Sequence, residues 1–298
     1  MSIRQAPVVD SDLQFYTRAA RTSSARVIRE YSTSFGMASR LFGPGCRSDI
    51  ESIYGLVRIA DEIVDGAAAE AGLSVDEQAA LLDALEDETE RALAMGYSAN
   101  VIVHAFATVA RASGIDRDLT APFFASMRRD LSPVALGREE LRSYIYGSAE
   151  VVGLMCLRAF LRGETLTGAE RVLLERGARR LGAAFQKINF LRDLGTDWLV
   201  LGRSYFPGID PDALTENEKR ELLDDIDADL DAAASAIPHL PRPCRRAVTA
   251  AHAVFRALAA ELRRTPADEL LHRRVRVSNP HKAVIIATAY LGRGAARG

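Results

Sequence analysis

The chain has 298 residues, of which 48% are hydrophobic and 26% charged, with 38 Lys and Arg against 40 Asp and Glu. That describes an ordinary globular protein of one large or two small domains, and a net charge of −2 gives no general reason to expect a nucleic-acid partner. Three cysteines without a Cys-x-x-Cys pair, and five histidines without His-x-x-x-His spacing, indicate neither a disulfide framework nor a zinc site.

The opening residues, MSIRQAPVVDSDL, lack the hydrophobic core of a signal peptide, so the expected location is cytoplasmic, with residues 1–12 flexible. A first helix is expected over 13–30, interrupted at Thr22-Ser23-Ser24. Tyr31-Ser32-Thr33-Ser34-Phe35 then places hydroxyls ahead of a helix-like MASRLF, which taken alone reads as a helix N-terminus. After a turn in FGPG, Ser48 and Glu51 have capping-box spacing and start a helix over 48–65. On it Tyr54, Arg58, Asp61 and Asp65 fall on one stripe, beside an apolar stripe of Ile53, Val57, Ala60 and Val64. One Asp-x-x-x-Asp by itself is most simply a solvated face with an Arg58–Asp61 pair.

Further capping boxes are expected at Ser74 and Glu77, Thr167 and Glu170, and Thr215 and Glu218. Helical apolar spacing marks 98–112, 117–129, 138–161, 242–264 and 280–292, while period-two alternation is nearly absent. A second polar stripe follows in 177–207, where Gln186, Asn189, Asp193 and Asp197 are spaced three, four and four apart amid Leu181, Ala184, Phe185, Ile188 and Leu191. From Arg242 onward twelve basic residues stand against three acidic ones, the pattern of a solvated face or of weak, salt-sensitive attraction to anionic lipid. No run approaches the ~20 apolar residues that span a bilayer.

Two helices that carry oxygen-ligand stripes can face each other across a cavity, as carboxylate helices do in helical metal-site proteins. Every ligand offered is an oxygen, which selects a hard cation such as Mg²⁺, with Mn²⁺ the substitute. Magnesium keeps few protein ligands and commonly bridges to phosphate oxygens, so the implied chemistry is diphosphate binding or departure.

The text YSTSFGMASRLF (31–42), YGLVRIADEIVD (54–65), MRRDL (127–131), YGSAEVVGLM (146–155), LGAAFQKINFLRDLGTDWLVLGRSYFP (181–207) and RRVRV (273–277) resembles the squalene/phytoene synthase family, in order and over about 250 residues. The resemblance implies one all-α domain over 1–298, an isoprenoid-synthase-type helical bundle around a central cavity. It implies Mg²⁺ on Asp61, Asp65, Asn189, Asp193 and Asp197, and catalysis by those aspartates with Tyr146 beside a carbocation. Substrate contacts carried over are Tyr31, Ser32, Ser34, Phe35, Tyr54, Arg58, Gln186, Arg192, Arg203, Tyr205 and Phe255, the last standing where many relatives have tyrosine. Tyr146 and Tyr205 could equally be tyrosines that satisfy a buried partner or anchor a loop, and Arg203 could face solvent. Glu150 stands where many relatives have glycine, and the sequence leaves its direction open.

The implied reaction is head-to-head condensation of two prenyl diphosphates through a cyclopropyl diphosphate, with geranylgeranyl diphosphate and a phytoene-type product expected. Squalene or dehydrosqualene synthesis from farnesyl diphosphate is the alternative, and NADPH enters only if squalene forms. A type I cyclase would show Asn-Asp-x-x-Ser-x-x-x-Glu and a head-to-tail enzyme Asp-Asp-x-x-Asp; this chain has NFLRDLGTD and DEIVD. A non-catalytic scaffold relative would be expected to lose the acidic ligands, and all four aspartates are present. Expected partners are prenyl diphosphates, and peripherally a membrane surface.

Overall fold

A computed structural model describes residues 11–32, 38–132 and 136–291. Helices α1 (Asp12–Tyr31), α2 (Pro44–Asp65), α3 (Val75–Met95), α4 (Val101–Ser113) and α5 (Arg117–Asp130) form the first half. The second half consists of α6 (Arg138–Ile145), α7 (Val151–Phe160), α8 (Gly168–Arg192), α9 (Leu194–Leu199), α10 (Glu216–Ala236), α11 (Arg242–Arg264) and α12 (Asn279–Tyr290). No strand occurs among the described residues, and the chain forms one all-helical domain. No helix among them is long and apolar enough to cross a membrane.

Local chemistry sets most boundaries where the sequence places them. Ser74, Thr167 and Thr215 each accept a bond from the backbone three residues on, and the Glu at that position reaches back, so these capping boxes close. Gly96 and Gly114 end α3 and α4 in the left-handed region, where a side chain would be strained.

Three expectations are corrected. The helix expected from Ser48 begins at Pro44, the ring serving as the first helical residue after Gly43. Ser48 lies a turn inside it and accepts a bond from Arg21 Nη1 at 3.3 Å. Thr22-Ser23-Ser24 does not interrupt α1, because Thr22 and Ser23 bond back to the carbonyls of Arg18 and Ala19 and Ser24 is buried against α2. The 138–161 segment contains a wide π turn at Tyr146–Glu150. Of the residues expected to be flexible, Ser11 and Asp12 are helical cap and first turn; 1–10 lie outside the described residues.

One apolar core gathers Ile53, Leu56, Phe106, Phe123 and Phe124, each almost wholly buried. At about 1.5–3 kcal/mol per large side chain, these clamp α2 to α4 and α5. A second core, with Ile188, Leu191, Leu223, Ile226 and Leu262, joins α8 to α10 and α11. The two halves leave a cavity between α2, α7, α8 and α11.

Candidate active site

The cavity has a volume of about 1020 Å³ and runs along one face of α8, from Leu174 through Ala178, Leu181 and Phe185 to Asn189 and Arg192. Small residues allow α7 to lie directly on α8. A Cβ on Gly153 would come within 2.5 Å of the Ala178 carbonyl oxygen, and one on Gly182 within 2.5 Å of that of Ala149. Both are backbone contacts that cannot yield, so the glycines of YGSAEVVG and RRLGAAF seal this wall. Opposite, Phe185 and Phe255 stack with ring centroids 3.6 Å apart.

Acidic side chains crowd together behind the arginines at one end of the cavity, none of them in its lining, and Asp61, Asp65 and Asp193 are each held by an arginine. Arg58 on α2 bonds Asp61 at 2.6 Å, contacts the Glu62 carboxylate, and lies over the Tyr31 ring at 4.3 Å. Arg203 joins three elements at once. Its Nη1 pairs with Asp65, its Nη2 donates to the Asp130 carbonyl at 2.6 Å, and its backbone N–H donates to the Asp197 carbonyl at 2.7 Å. Asp193 is clasped by Arg192 and by Arg274 Nε at 2.7 Å. The two acidic stripes therefore meet across one arginine rather than facing separate stretches of solvent.

Crowding shows in the protonation of these groups. Burial pushes the Asp61 carboxyl up to about 6, opposed by Arg58 and reinforced by Asp65. Burial, then the charge of Asp193, pushes Asp197 up to about 7. Asp130, missed in the sequence, is pushed up to about 7 by burial even though the Tyr144 hydroxyl donates to it at 2.6 Å. A cationic cluster adjoins these acids: Arg274, which pairs with Asp193, lines the cavity together with Arg276 and Lys282. The Lys282 ammonium is pushed down by burial and then by Arg192 and Arg276. Lys282 and Arg276 have no ion-pair partner among the described residues, so the cluster favours an anion.

Among the described residues no three His, Cys, Asp or Glu side chains converge to hold a metal by themselves. Arginine monocations lie among the carboxylates instead. The donor chemistry still fits a hard divalent ion: all oxygens, carboxylates whose fields raise one another, and a buried Asn189 Oδ1 that has no hydrogen-bond partner.

The remaining nominated residues divide. Tyr31, Ser32, Tyr54, Arg58, Asn189, Arg192 and Phe255 line the cavity. Burial raises the Tyr54 hydroxyl, which hydrogen-bonds Ser32. Ser34 and Phe35 lie outside the described residues. Gln186 is half-buried and is not part of the cavity wall. Asp193 does not continue a single stripe, because α8 ends at Arg192 and the backbone breaks there to φ −101° before α9. At that break Arg192 bonds its neighbour Asp193.

Two tyrosines are not part of the cavity wall. Tyr146, the first residue of the π turn, lines an outer groove and not the cavity, and lies under Arg179 at 5.3 Å. Tyr205 stacks on Phe190 at 4.0 Å and lies beside Tyr144, anchoring the loop that carries Arg203. Glu150 faces the outer groove too and accepts from Arg179 Nε at 2.6 Å. Part of the basic C-terminal charge stands at the mouth of the cavity, through Arg274 and Arg276, which are also exposed to solvent, and the half-buried Lys282. No spacing rule marked these three, or Tyr144 and Asp130; only the quoted MRRDL and RRVRV text contained some of them.

Comparison with known proteins agrees with this architecture. The sequence model of the family Squalene/phytoene synthase matches residues 28–281. A 15-cis-phytoene synthase of Paracoccus is 28% identical over 263 residues, 81% of this chain and 82% of its own. A phytoene synthase of Mycobacterium bovis is 27% identical over 282 residues, 88% of each chain. The crystal structure of a dehydrosqualene synthase superposes with a TM-score of 0.76 at 21% identity, covering 94% of this chain and 99% of that one. A squalene synthase from Alicyclobacillus acidocaldarius gives 0.70 at 22%, covering 86% and 96%. At those identities the two structures establish the fold.

Proposed function

The chain belongs to the squalene/phytoene synthase family, and we propose that it condenses two geranylgeranyl diphosphates head to head into a phytoene-type hydrocarbon, through a cyclopropyl diphosphate. The observation that carries this reading is the pairing of an apolar cavity with an acidic and a cationic cluster at the same end. A prenyl diphosphate has that same division: a greasy chain and a polyanionic head. The choice of a C20 substrate is supported by the phytoene synthase names of the similar proteins.

Asp61, Asp65, Asn189, Asp193 and Asp197 would hold Mg²⁺ or Mn²⁺, which when bound supplies the Lewis acid that neutralises a departing diphosphate. Arg192, Arg274, Arg276 and Lys282 hold the diphosphate oxygens by charge-assisted bonds. The chain then lies along α8, and the stacked Phe185 and Phe255 present aromatic surface to the positive charge that forms at the allylic carbon. Val57, Val152, Leu181 and Val254 keep water from quenching it. A hydrocarbon product cannot leave into water readily, so peripheral contact of a cytoplasmic protein with anionic lipid is part of the proposal; salt-reversible sedimentation with such vesicles tests it.

Incubating the protein and Mg²⁺ with geranylgeranyl or farnesyl diphosphate, with and without NADPH, and identifying the hydrocarbon tests the reaction. Asp61→Asn and Asp193→Asn should abolish product while leaving the helical spectrum unchanged. Full activity in both variants would remove the metal assignment. Product from farnesyl diphosphate alone would overturn the substrate and leave the reaction class intact.

A further inference from the structure

We infer that the length of prenyl chain is measured along α8, with Cys156 marking the end of the fourth isoprene unit and Phe160 closing the cavity beyond it. This rests on the reading that prenyl chains enter with the diphosphate at Arg192.

α8 is unbroken from Gly168 to Arg192, and Leu174 and Arg192 both line the cavity. They are eighteen residues apart, which at the helical rise is about 27 Å. One isoprene unit adds four carbon–carbon bonds of ~1.5 Å to the main chain and extends it by about 5 Å, close to one helical turn. A C20 chain thus needs about 20 Å and leaves about one turn for the diphosphate head, whereas a C15 chain leaves about two turns.

α7 provides the opposing scale. The backbone contacts of Ala149 with Gly182 and of Gly153 with Ala178 show that α7 runs antiparallel to α8 in close register. Continuing that register brings Cys156 level with the Leu174 turn and Phe160 one turn deeper. Both side chains line the cavity, and Phe160 packs against Phe42 with centroids 5.4 Å apart. Cys156 is small, so the fourth unit fits beside it; the Phe160–Phe42 pair leaves no room for a fifth.

The test uses the full-length protein, with non-hydrolysable prenyl thiodiphosphates of C15, C20 and C25 for binding by calorimetry, and the matching diphosphates for turnover. Wild type should bind and use C20 best. Cys156→Phe places a ring in the last slot and should cut C20 binding and kcat/KM at least tenfold while sparing C15; one lost or added methylene in an apolar pocket already changes discrimination by about tenfold or more. Phe160→Ala should raise C25 binding and use by a similar factor. Folded variants that keep the wild-type order of chain lengths would overturn the proposal. Length-dependent binding that responds to both substitutions without any hydrocarbon product would uphold it and refute the reaction reading. Hydrocarbon formation indifferent to both substitutions would do the reverse.

Discussion

Replacing Arg203 by methionine removes the guanidinium that ties α2 to α5 and leaves its backbone bond to α9 in place. Its side chain is 10% exposed, so the bonds it makes count more than those of a surface arginine. Losing the charge-assisted bond to the Asp130 carbonyl costs about 1.5–3 kcal/mol. The pair with Asp65 adds only about 1 kcal/mol, because that carboxylate is 34% exposed and screened by water. A total of about 2–4 kcal/mol corresponds to a fall in Tm of about 4–8 °C for a chain of this size. The variant also leaves Asp65, Asp130 and Asp197 without their shared monocation, so Mg²⁺ should take its place. A site of about 1 mM affinity would recover about 1.4 kcal/mol in about 10 mM Mg²⁺. Thermal melts of wild type and Arg203→Met with and without Mg²⁺ measure both effects. An unchanged Tm, or a Mg²⁺ shift equal in the two proteins, would refute the view that Arg203 occupies the place of a divalent ion.

Acid titration should also report on Asp130. Its carboxyl is raised from 3.8 to about 7 in the fold, so the folded state keeps a proton that the unfolded chain loses. The stability this contributes is full below about pH 4 and is lost as pH rises to about 7, an upper limit of about 4 kcal/mol. Asp130→Asn should flatten the fall in Tm between pH 5 and 7, and an equal fall in both proteins would show that other groups cause it. Gly195→Ala places a Cβ 2.0 Å from the Leu271 carbonyl oxygen and must displace the segment that brings Arg274 to Asp193. Loss of at least 2 °C in Tm and weaker diphosphate binding are expected, about 1–3 kcal/mol in stability, and a wild-type melt would contradict that contact. Tyr146→Phe, which alters only the outer groove, should leave turnover within about twofold of wild type; a large loss would return that hydroxyl to the chemistry.

Much of this was legible in the one-dimensional chain because helices carry their own signals. The three-residue reciprocity of Ser74 with Glu77, and the 3.6-residue recurrence that puts Tyr54, Arg58 and Asp61 on one side of α2, are local properties, and they survive folding unchanged. Such patterns determined the helices, the all-oxygen donor set and the family. Direction across a break in the helix is not local. The π turn that begins at Tyr146 lies where Gly182 of α8 meets the Ala149 carbonyl, and the break at Asp193 accompanies the approach of Gly195 to Leu271. Nor could spacing reveal that Arg203, 138 residues from Asp65, would join it to Asp130 and Asp197. Periodicity fixes which side chains share a face; only packing between distant segments decides which faces meet, and therefore where charge of each sign collects.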